Sequence, residues 1–351
     1  MPQEQGKHVI VVGCGAIGSF LVPLLARMPG ITRVTLVDPD AYELANLRGQ
    51  NIFCCDVREL KVAVQARRLR ALNPHLDVAA IPAAVGDLPL GSLRADLIVA
   101  CVDTLQARLD INQIASRLGV PWIDSGVLES EKLARVNVYV PAADAACHEC
   151  ALSDEDYKSL EVEYPCGVAV PPVTPSDSSA VLASLAASLV AGECQKMLNG
   201  DLQHAVIGRQ VTMDARTHRM FSTTFRRNPA CRLTHGSWTP VPLRHSLRRL
   251  TVGDTLAITG RISVPGHRFV RATVCPQCCR RLDGLRLDRP KARCPKCNVR
   301  MIAPAFDALL DQLDTSLPQE CLDRSLAQIG LVSGDIVCGT EKQFELLAEV
   351  M

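Results

Sequence analysis

Aromatic residues are scarce in this chain, 4% of 351 positions with only two tryptophans. A surface that reads single-stranded nucleic acid by stacking bases on rings therefore has little to work with. Net charge is small as well: 38 Lys and Arg stand against 37 Asp and Glu, for +1 overall. Bulk electrostatics thus indicate neither a polyanionic partner nor a membrane surface. The most apolar later run, residues 181–191, is short for a bilayer and is followed by Glu193 and Lys196, so no membrane span is expected. The opening MPQEQGK is polar and short, which argues against a secretory leader. Cysteine is the exception to this sparseness. There are 16, several in Cys-x-x-Cys pairs, and without an export signal these suggest zinc more than disulfides, and a cytoplasmic location. A chain of this length with 48% hydrophobic residues can bury one large core and a smaller satellite domain.

The chain is organised around residues 8–38, HVIVVGCGAIGSFLVPLLARMPGITRVTLVD. Residues 9–12 form a β-branched apolar run that breaks into Gly13-Cys14-Gly15-Ala16-Ile17-Gly18. The helical apolar spacing of Phe20, Leu21, Leu24 and Leu25 follows, and residues 34–37 return as a second short apolar run. This is strand, glycine turn, helix, strand, half of a nucleotide-binding α/β fold. Gly13 permits the tight turn, Gly15 lets backbone approach a phosphate, and Gly18 lets helix pack on strand. The amides opening the helix then face an anion, and Asp38 at the tip of the second strand can accept hydrogen bonds from a ribose.

Beyond Asp38, residues 42–50 are polar and turn-like. Residues 61–72 are amphipathic, with Val62, Ala66, Leu69 and Leu72 on one face and a stop at Asn73-Pro74. Asp40, Asn46, Arg48, Gln50 and Lys61 thus follow the nucleotide turn closely. A nicotinamide dinucleotide has little use for such a cluster beyond its pyrophosphate, whereas a triphosphate with a leaving pyrophosphate does. Residues 96–103 read as another buried strand ending in an acid, 104–118 as a helix with Arg108 one turn in, and 120–123 as a further strand. Ligands bind outside the carboxyl ends of parallel strands, which puts Asp103 in the same crevice as the glycine turn. A carboxylate facing phosphates implies magnesium between them. The alternative role for Asp103 is a cap on the following helix.

Gly13-x-Gly15-x-x-Gly18, Val37-Asp38, Asn46-Leu47-x-x-Gln50, Lys61 leading to Asn73-Pro74, and Asp103 with Arg108 resemble the adenylation domain of the ubiquitin-activating-enzyme superfamily. Its bacterial members include the ThiF and MoeB adenylyltransferases. The resemblance covers about residues 9–225. It implies that the C-terminal glycine of a ubiquitin-like or sulfur-carrier β-grasp protein attacks the α-phosphate of ATP, giving an acyl-adenylate and pyrophosphate. The attacking carboxylate is already ionised, so catalysis reduces to positioning and charge neutralisation. By resemblance Asp38 holds the ribose, Asn46 and Lys61 the phosphates, and Asp103 the magnesium ion; homodimerisation is a further family expectation. Two departures stand out. The family's arginine before the glutamine is Gly49 here, with Arg48 one step earlier, and only seven residues precede His8, where the family commonly has a helix lending an arginine to its partner subunit.

Cys147 and Cys150 form one pair, and much later comes Cys231 with Thr234 and His235. ThiF-like proteins bind a structural zinc through two such pairs, so the resemblance implies a site of Cys147, Cys150 and Cys231 with His235 as fourth ligand, a normal closed tetrahedral set. Residues 153–178, rich in acid, proline and serine and without clear periodicity, read as a functional crossover loop. Cys166 sits in it at the place where family members can carry a cysteine that takes the activated carboxyl as a thioester or a persulfide. Residues 178–198 read as a buried small-residue helix capped by Ser176 or Asp177, and 206–225 as two strands completing the sheet.

After the proline-bearing linker 239–242 the character changes. Residues 250–274 alternate in short stretches between glycines, as in a small antiparallel sheet, and lead to Cys275-x-x-Cys278 and, fifteen residues later, Cys294-x-x-Cys297. That spacing is a zinc-ribbon signal. Basic residues crowd it, but the loop between the pairs has no aromatic residue. A knuckle docking the acidic face of a carrier or conjugating protein is favoured over a nucleic-acid surface. Short helices are expected over 306–313 and 321–329, and a strand with a final helix over 334–351.

The expected fold is α/β: a doubly wound, mostly parallel Rossmann-like sheet with helices on both faces, plus a small β-rich zinc-ribbon C-terminal domain. The expected domains are 1–238, 239–303 and a 304–351 tail. The expected function is ATP- and magnesium-dependent activation of a carrier protein ending in glycine, with two structural zinc sites and a conjugating enzyme or sulfur donor as further partner. The rivals are an inactive scaffold that binds a carrier or conjugating protein, a relative adenylating a peptide or nucleic-acid carboxylate, and a nicotinamide dehydrogenase.

Overall fold

The computed structural model of the chain describes residues 6–161, 179–289, 293–304 and 308–348. Cys166, Ser176 and Asp177 lie outside the described residues. The chain divides into two compact units, Met1–Gly86 with Arg94–Ser237, and Asp87–Leu93 with Trp238–Met351.

The first unit is built on one eight-stranded sheet in the order β3-β2-β1-β4-β5-β6-β7-β8. Its parallel part comprises β1 (Lys7–Val12), β2 (Ile31–Val37), β3 (Asp77–Ile81), β4 (Leu97–Ala100) and β5 (Trp122–Leu128). Antiparallel strands β6 (Leu133–Tyr139), β7 (Arg209–Asp214) and β8 (Arg219–Thr224) extend it. Strand order reverses between β1 and β4, and such a switch point opens a crevice at the carboxyl ends of the two strands. Gly13 follows β1 there and Cys101 follows β4, joined by the Cys101 N–H donating to the Val12 carbonyl at 2.7 Å. The apolar run expected to continue to residue 103 stops as a strand at Ala100, leaving Asp103 on the crevice rim.

The helices follow from apolar spacing and caps. Helix α1 (Ala16–Leu25) buries Ile17, Leu21, Val22 and Leu25; α2 (Lys61–Leu72) buries Val62, Val64, Ala66 and Leu69. In α3 (Leu105–Leu118) the cap is Thr104, whose hydroxyl accepts the Ala107 N–H at 3.2 Å, and Gly119 ends it in the left-handed region at φ 68°. Asp103 is therefore not the cap. The segment 153–178, expected as a loop, opens with helix α4 (Asp154–Glu161). Ser153 and Asp156 form a reciprocal capping box, the Asp156 N–H donating to the Ser153 hydroxyl and the Ser153 N–H to the Asp156 carboxylate. Helix α5 (Ala180–Leu198) is capped by Ser179 and is long and apolar enough to cross a membrane by length and composition. Here Leu182, Ala186, Ala187 and Val190 are buried in one cluster with α1 and the inner faces of β1, β4, β5 and β6.

The second unit has its own core of residues 243–346, so residues 309–347 fold together with the segment before them. Strand β9 (Val241–Arg244) precedes helix α6 (Val252–Thr259), which forms where only short strands were expected. A Thr251–Asp254 capping box starts it, and Val252, Leu256, Thr255 and Thr259 are buried. Strands β10 (Phe269–Val274), β11 (Arg281–Leu287) and β12 (Leu309–Leu310) form a three-stranded sheet. The short strand β12 replaces the helix expected over 306–313, and only a brief α7 (Gln319–Leu322) forms near 321–329. Strand β13 (Ile336–Cys338) forms where a strand was expected, and β14 (Gln343–Leu347) takes the place of the expected final helix. Strand β14 pairs with β13 and with β9, and that long-range pairing overrides local helix preference.

Candidate functional site

The glycine turn is dictated by contacts no side chain could share. Gly13 has φ +94°, and a Cβ there would lie 2.4 Å from the Cys101 carbonyl oxygen; a Cβ on Gly18 would lie 2.0 Å from the Gly13 carbonyl oxygen. In front of Gly15 the space is open, with the Gln50 amide nitrogen the nearest atom to a hypothetical Cβ, at 3.9 Å. No side chain caps α1, so its first N–H groups are free to bind an anion.

Asp38 closes this turn. Its carboxylate accepts the Cys14 N–H at 2.6 Å and the Asp40 N–H at 2.9 Å. Burial pushes its pKa up, and Lys61 pulls against that shift. Lys61, first residue of α2, places its Nζ 3.0 Å from an Asp40 carboxylate oxygen. Burial opposes its ammonium, but Asp38 and Asp40, with a smaller pull from Asp103, hold its pKa above the usual value. Lys61 therefore stays charged, and it lies within electrostatic reach of all three acids. Behind the turn, the Tyr42 hydroxyl donates to the Cys14 carbonyl at 2.6 Å and accepts from the Gln65 amide at 2.8 Å. Tyr42 thus braces the turn and is itself held by Gln65 of α2, and no motif in the sequence announces the two.

The 3-10 turn Leu44–Arg48 carries two more candidates. Asn46 uses its amide oxygen to cap the Glu43 N–H at 2.8 Å, which leaves its NH2 as a donor. Arg48 is exposed and forms no ion pair among the described residues, while Gly49 is buried. Next in the chain, Gln50 has its side-chain oxygen buried without a partner among the described residues, an atom that a ligand in the crevice could satisfy. The Asn51 N–H donates to the Ser19 hydroxyl at 2.9 Å, tying this segment to α1.

Across the crevice the Asp103 side chain is exposed and makes no hydrogen bond among the described residues. Its backbone is held instead. Arg108 donates to the carbonyls of Val102 at 2.6 Å and Asp103 at 3.3 Å. Arg108 is anchored by Asp124, which the sequence reading missed. Asp124 is wholly buried and takes Arg108 Nε at 2.9 Å, Arg135 Nη1 at 2.6 Å and Asn137 Nδ2 at 3.1 Å. Burial works against its carboxylate, yet Arg135 and Arg108 hold its pKa below the usual range. An exposed carboxylate with no other partner is the donor type magnesium takes, and Asp103 meets that requirement.

Two sulfur-rich clusters complete the inventory. Cys147, Cys150, Cys231 and His235 converge, with Cys147 Sγ 3.8 Å from the sulfurs of Cys150 and Cys231 and 3.4 Å from His235 Nε2. A tetrahedral zinc with bonds of about 2.3 Å to sulfur separates its sulfurs by about 3.8 Å, and a disulfide would need about 2.05 Å. The second cluster joins Cys275, Cys278, Cys294 and Cys297, with Cys278 and Cys294 sulfurs 3.6 Å apart. Both donor sets therefore fit zinc. The first is tied to α3: the Asn112 amide donates to buried Glu149 at 3.1 Å and its oxygen accepts the His148 N–H at 3.2 Å.

Residues 4–233 match the ThiF family. The chain is 32% identical over 236 residues to the sulfur carrier protein adenylyltransferase of Thermus thermophilus, across 65% of this chain and 83% of that protein. It is 30% identical over 183 residues to the ubiquitin-like modifier-activating enzyme 5 of Oryza sativa subsp. japonica, where the match spans 46% of this chain and 43% of the relative. Among solved structures it resembles E. coli MccB with ATP, with a TM-score of 0.52 and 25% identity over 66% of this chain and 67% of that one. The chain belongs to the ThiF family.

Proposed function

We propose that this chain is an ATP- and magnesium-dependent adenylyltransferase that activates the C-terminal glycine carboxylate of a ubiquitin-like or sulfur-carrier protein. The observation that carries the reading is the convergence of Lys61, Asp38, Asp40 and Asp103 beside the open face of Gly15. Two relatives support the carrier as substrate, being named for activating a ubiquitin-like modifier and for adenylating a sulfur carrier.

The chemistry needs little from the protein beyond placement and charge. An ionised carboxylate oxygen attacks the α-phosphorus, the bond to the bridging oxygen breaks, and pyrophosphate leaves with that electron pair. Asp38 accepts the ribose hydroxyls, the uncapped N–H groups of α1 face the phosphates, and Lys61, Asn46 and Arg48 offset the charge that builds on the leaving group. Asp103 holds magnesium, which when bound supplies further neutralisation of the phosphate oxygens. The two cysteine clusters hold structural zinc. Cys166 is the acceptor for a second step, its thiolate attacking the acyl carbonyl as AMP leaves.

ATP–pyrophosphate exchange with β-grasp proteins ending in glycine tests this. Asp103→Ala abolishes exchange, while Cys166→Ala spares it and removes any thiol-sensitive conjugate. The exposed Arg48 and buried Gly49 favour a second reading, a scaffold that binds carrier without activating it; carrier binding with no exchange in the unmodified chain would establish that reading instead.

A further inference from the structure

The near-neutral total of +1 conceals a sharp local excess. Residues 261–300 contain eleven Lys and Arg against two acids, Asp283 and Asp288. Several of these cations are used internally: Arg268 pairs with Asp311, Arg281 with Asp283 and Arg289 with Asp335. Arg271, Arg280, Lys296 and Arg300 are exposed and have no ion pair among the described residues. Exposed Arg293 spends one hydrogen bond on the Asn298 carbonyl, at 2.8 Å.

Pairing within the ribbon gathers these residues at one end. The Cys275 N–H closes the first knuckle on the Arg280 carbonyl at 2.9 Å, and the Cys294 N–H closes the second on the Val299 carbonyl at 2.8 Å. Arg293 and Arg300 face each other as an antiparallel bridge, and Lys296 sits between Cys294 and Cys297. The ligand atoms of the four cysteines lie within 4.8 Å of one another, so the two knuckles meet at a single point, and Arg280, Arg293, Lys296 and Arg300 each lie within three residues of a ligand cysteine. Like charges directly opposite on paired strands are destabilising, and an isolated fold gains nothing from placing Arg293 against Arg300. A divalent ion among four thiolates would carry about −2, less than the charge of the four cations Arg280, Arg293, Lys296 and Arg300.

We propose that this knuckle end of the ribbon is a docking surface for an acidic protein segment. Arg293, Lys296 and Arg300 form its centre, flanked by Arg280. Nucleic acid is the other polyanion such a surface could meet. Residues 261–300 offer few rings on which a base could stack: Phe269 is fully buried and His267 is half-buried. The proposal stands on the ribbon alone and is independent of the adenylation reading.

Fluorescence anisotropy on the full zinc-loaded chain tests it, using a labelled Glu/Asp dodecapeptide, a labelled DNA duplex and a labelled single-stranded RNA of equal charge. The peptide binds, its affinity falls as salt rises from about 50 to 300 mM, and R293E/K296E/R300E weakens it at least tenfold. The single exposed change Lys296→Glu weakens it several-fold, with metal content and far-UV circular dichroism unchanged in both variants. R219E, on the exposed strand β8 of the other unit, leaves binding unaltered. The proposal is overturned if the peptide fails to bind at low salt, if K296E and the triple variant bind it like the unmodified chain, or if either nucleic acid binds more tightly than the peptide.

Discussion

Replacing Asp124 by Ala removes a wholly buried carboxylate that two arginines and Asn137 share. Breaking a buried ion pair from one side leaves uncompensated charge and costs roughly 3–5 kcal/mol. Arg135 keeps 29% of its side chain exposed and can rehydrate, whereas Arg108, at 13%, is more confined. The loss should therefore lie near the lower end, about 3 kcal/mol, a large share of the roughly 5–15 kcal/mol that holds a domain folded. With a urea slope of about 2 kcal/mol per molar, the midpoint drops by about 1.5 M. Trp122, stacked on Tyr139 at 4.7 Å in the same sheet, reports unfolding of this unit by fluorescence once Trp238 is replaced by Phe. A double-mutant cycle with Arg108→Met should give a coupling above about 1 kcal/mol. A loss below about 0.5 kcal/mol for Asp124→Ala would refute the network as a structural anchor of the Asp103 loop.

The same carboxylate sets a pH dependence. Its folded pKa lies below the unfolded value of about 3.9, so its contribution is fully present above that value and is lost as pH falls through the folded pKa. Acid unfolding of Asp124→Asn should accordingly show a shallower slope below about pH 4, measured by fluorescence. Gly18→Ala drives a Cβ onto the Gly13 carbonyl oxygen; ATP affinity should fall at least tenfold by calorimetry even where the chain stays folded. Thr251→Ala removes the hydroxyl that accepts the Asp254 N–H, while the Thr251 N–H can still donate to Asp254, and should cost the second unit about 1 kcal/mol in urea titration. Metal analysis should return two zinc ions per chain, falling to one in Cys231→Ser and likewise in Cys275→Ser.

Much of the candidate nucleotide site is legible in the sequence because its parts are local: a β-branched strand, glycines that backbone contacts demand, and an acid one strand away. Helix α2 follows from its apolar spacing with Lys61 at its start. Asp124 was hidden for a physical reason, since its partners Arg108 and Arg135 lie on other elements and only the folded sheet brings the three together. Helices α4 and α6 did announce themselves, through Ser153-x-x-Asp156 and Thr251-x-x-Asp254, a signal weaker to the eye than the surrounding prolines and glycines. The end of the chain misleads because residues 341–349 are rich in helix formers, while pairing of β14 with β9, a hundred residues earlier, decides their conformation. The mixed Cys/His set could be anticipated only by resemblance; in the fold His235, one place beyond Thr234, brings its Nε2 to 3.6 Å from Cys150 Sγ.

The fate of the α-phosphate separates activation from every rival. ATP labelled at the α-phosphorus, incubated with this chain, magnesium and a β-grasp carrier ending in glycine, should transfer its label to the carrier as an AMP adduct that hydroxylamine releases. Lys61→Ala should eliminate that transfer. Label appearing on the carrier from γ-labelled ATP instead, or undiminished α-label with Lys61→Ala, would contradict the account.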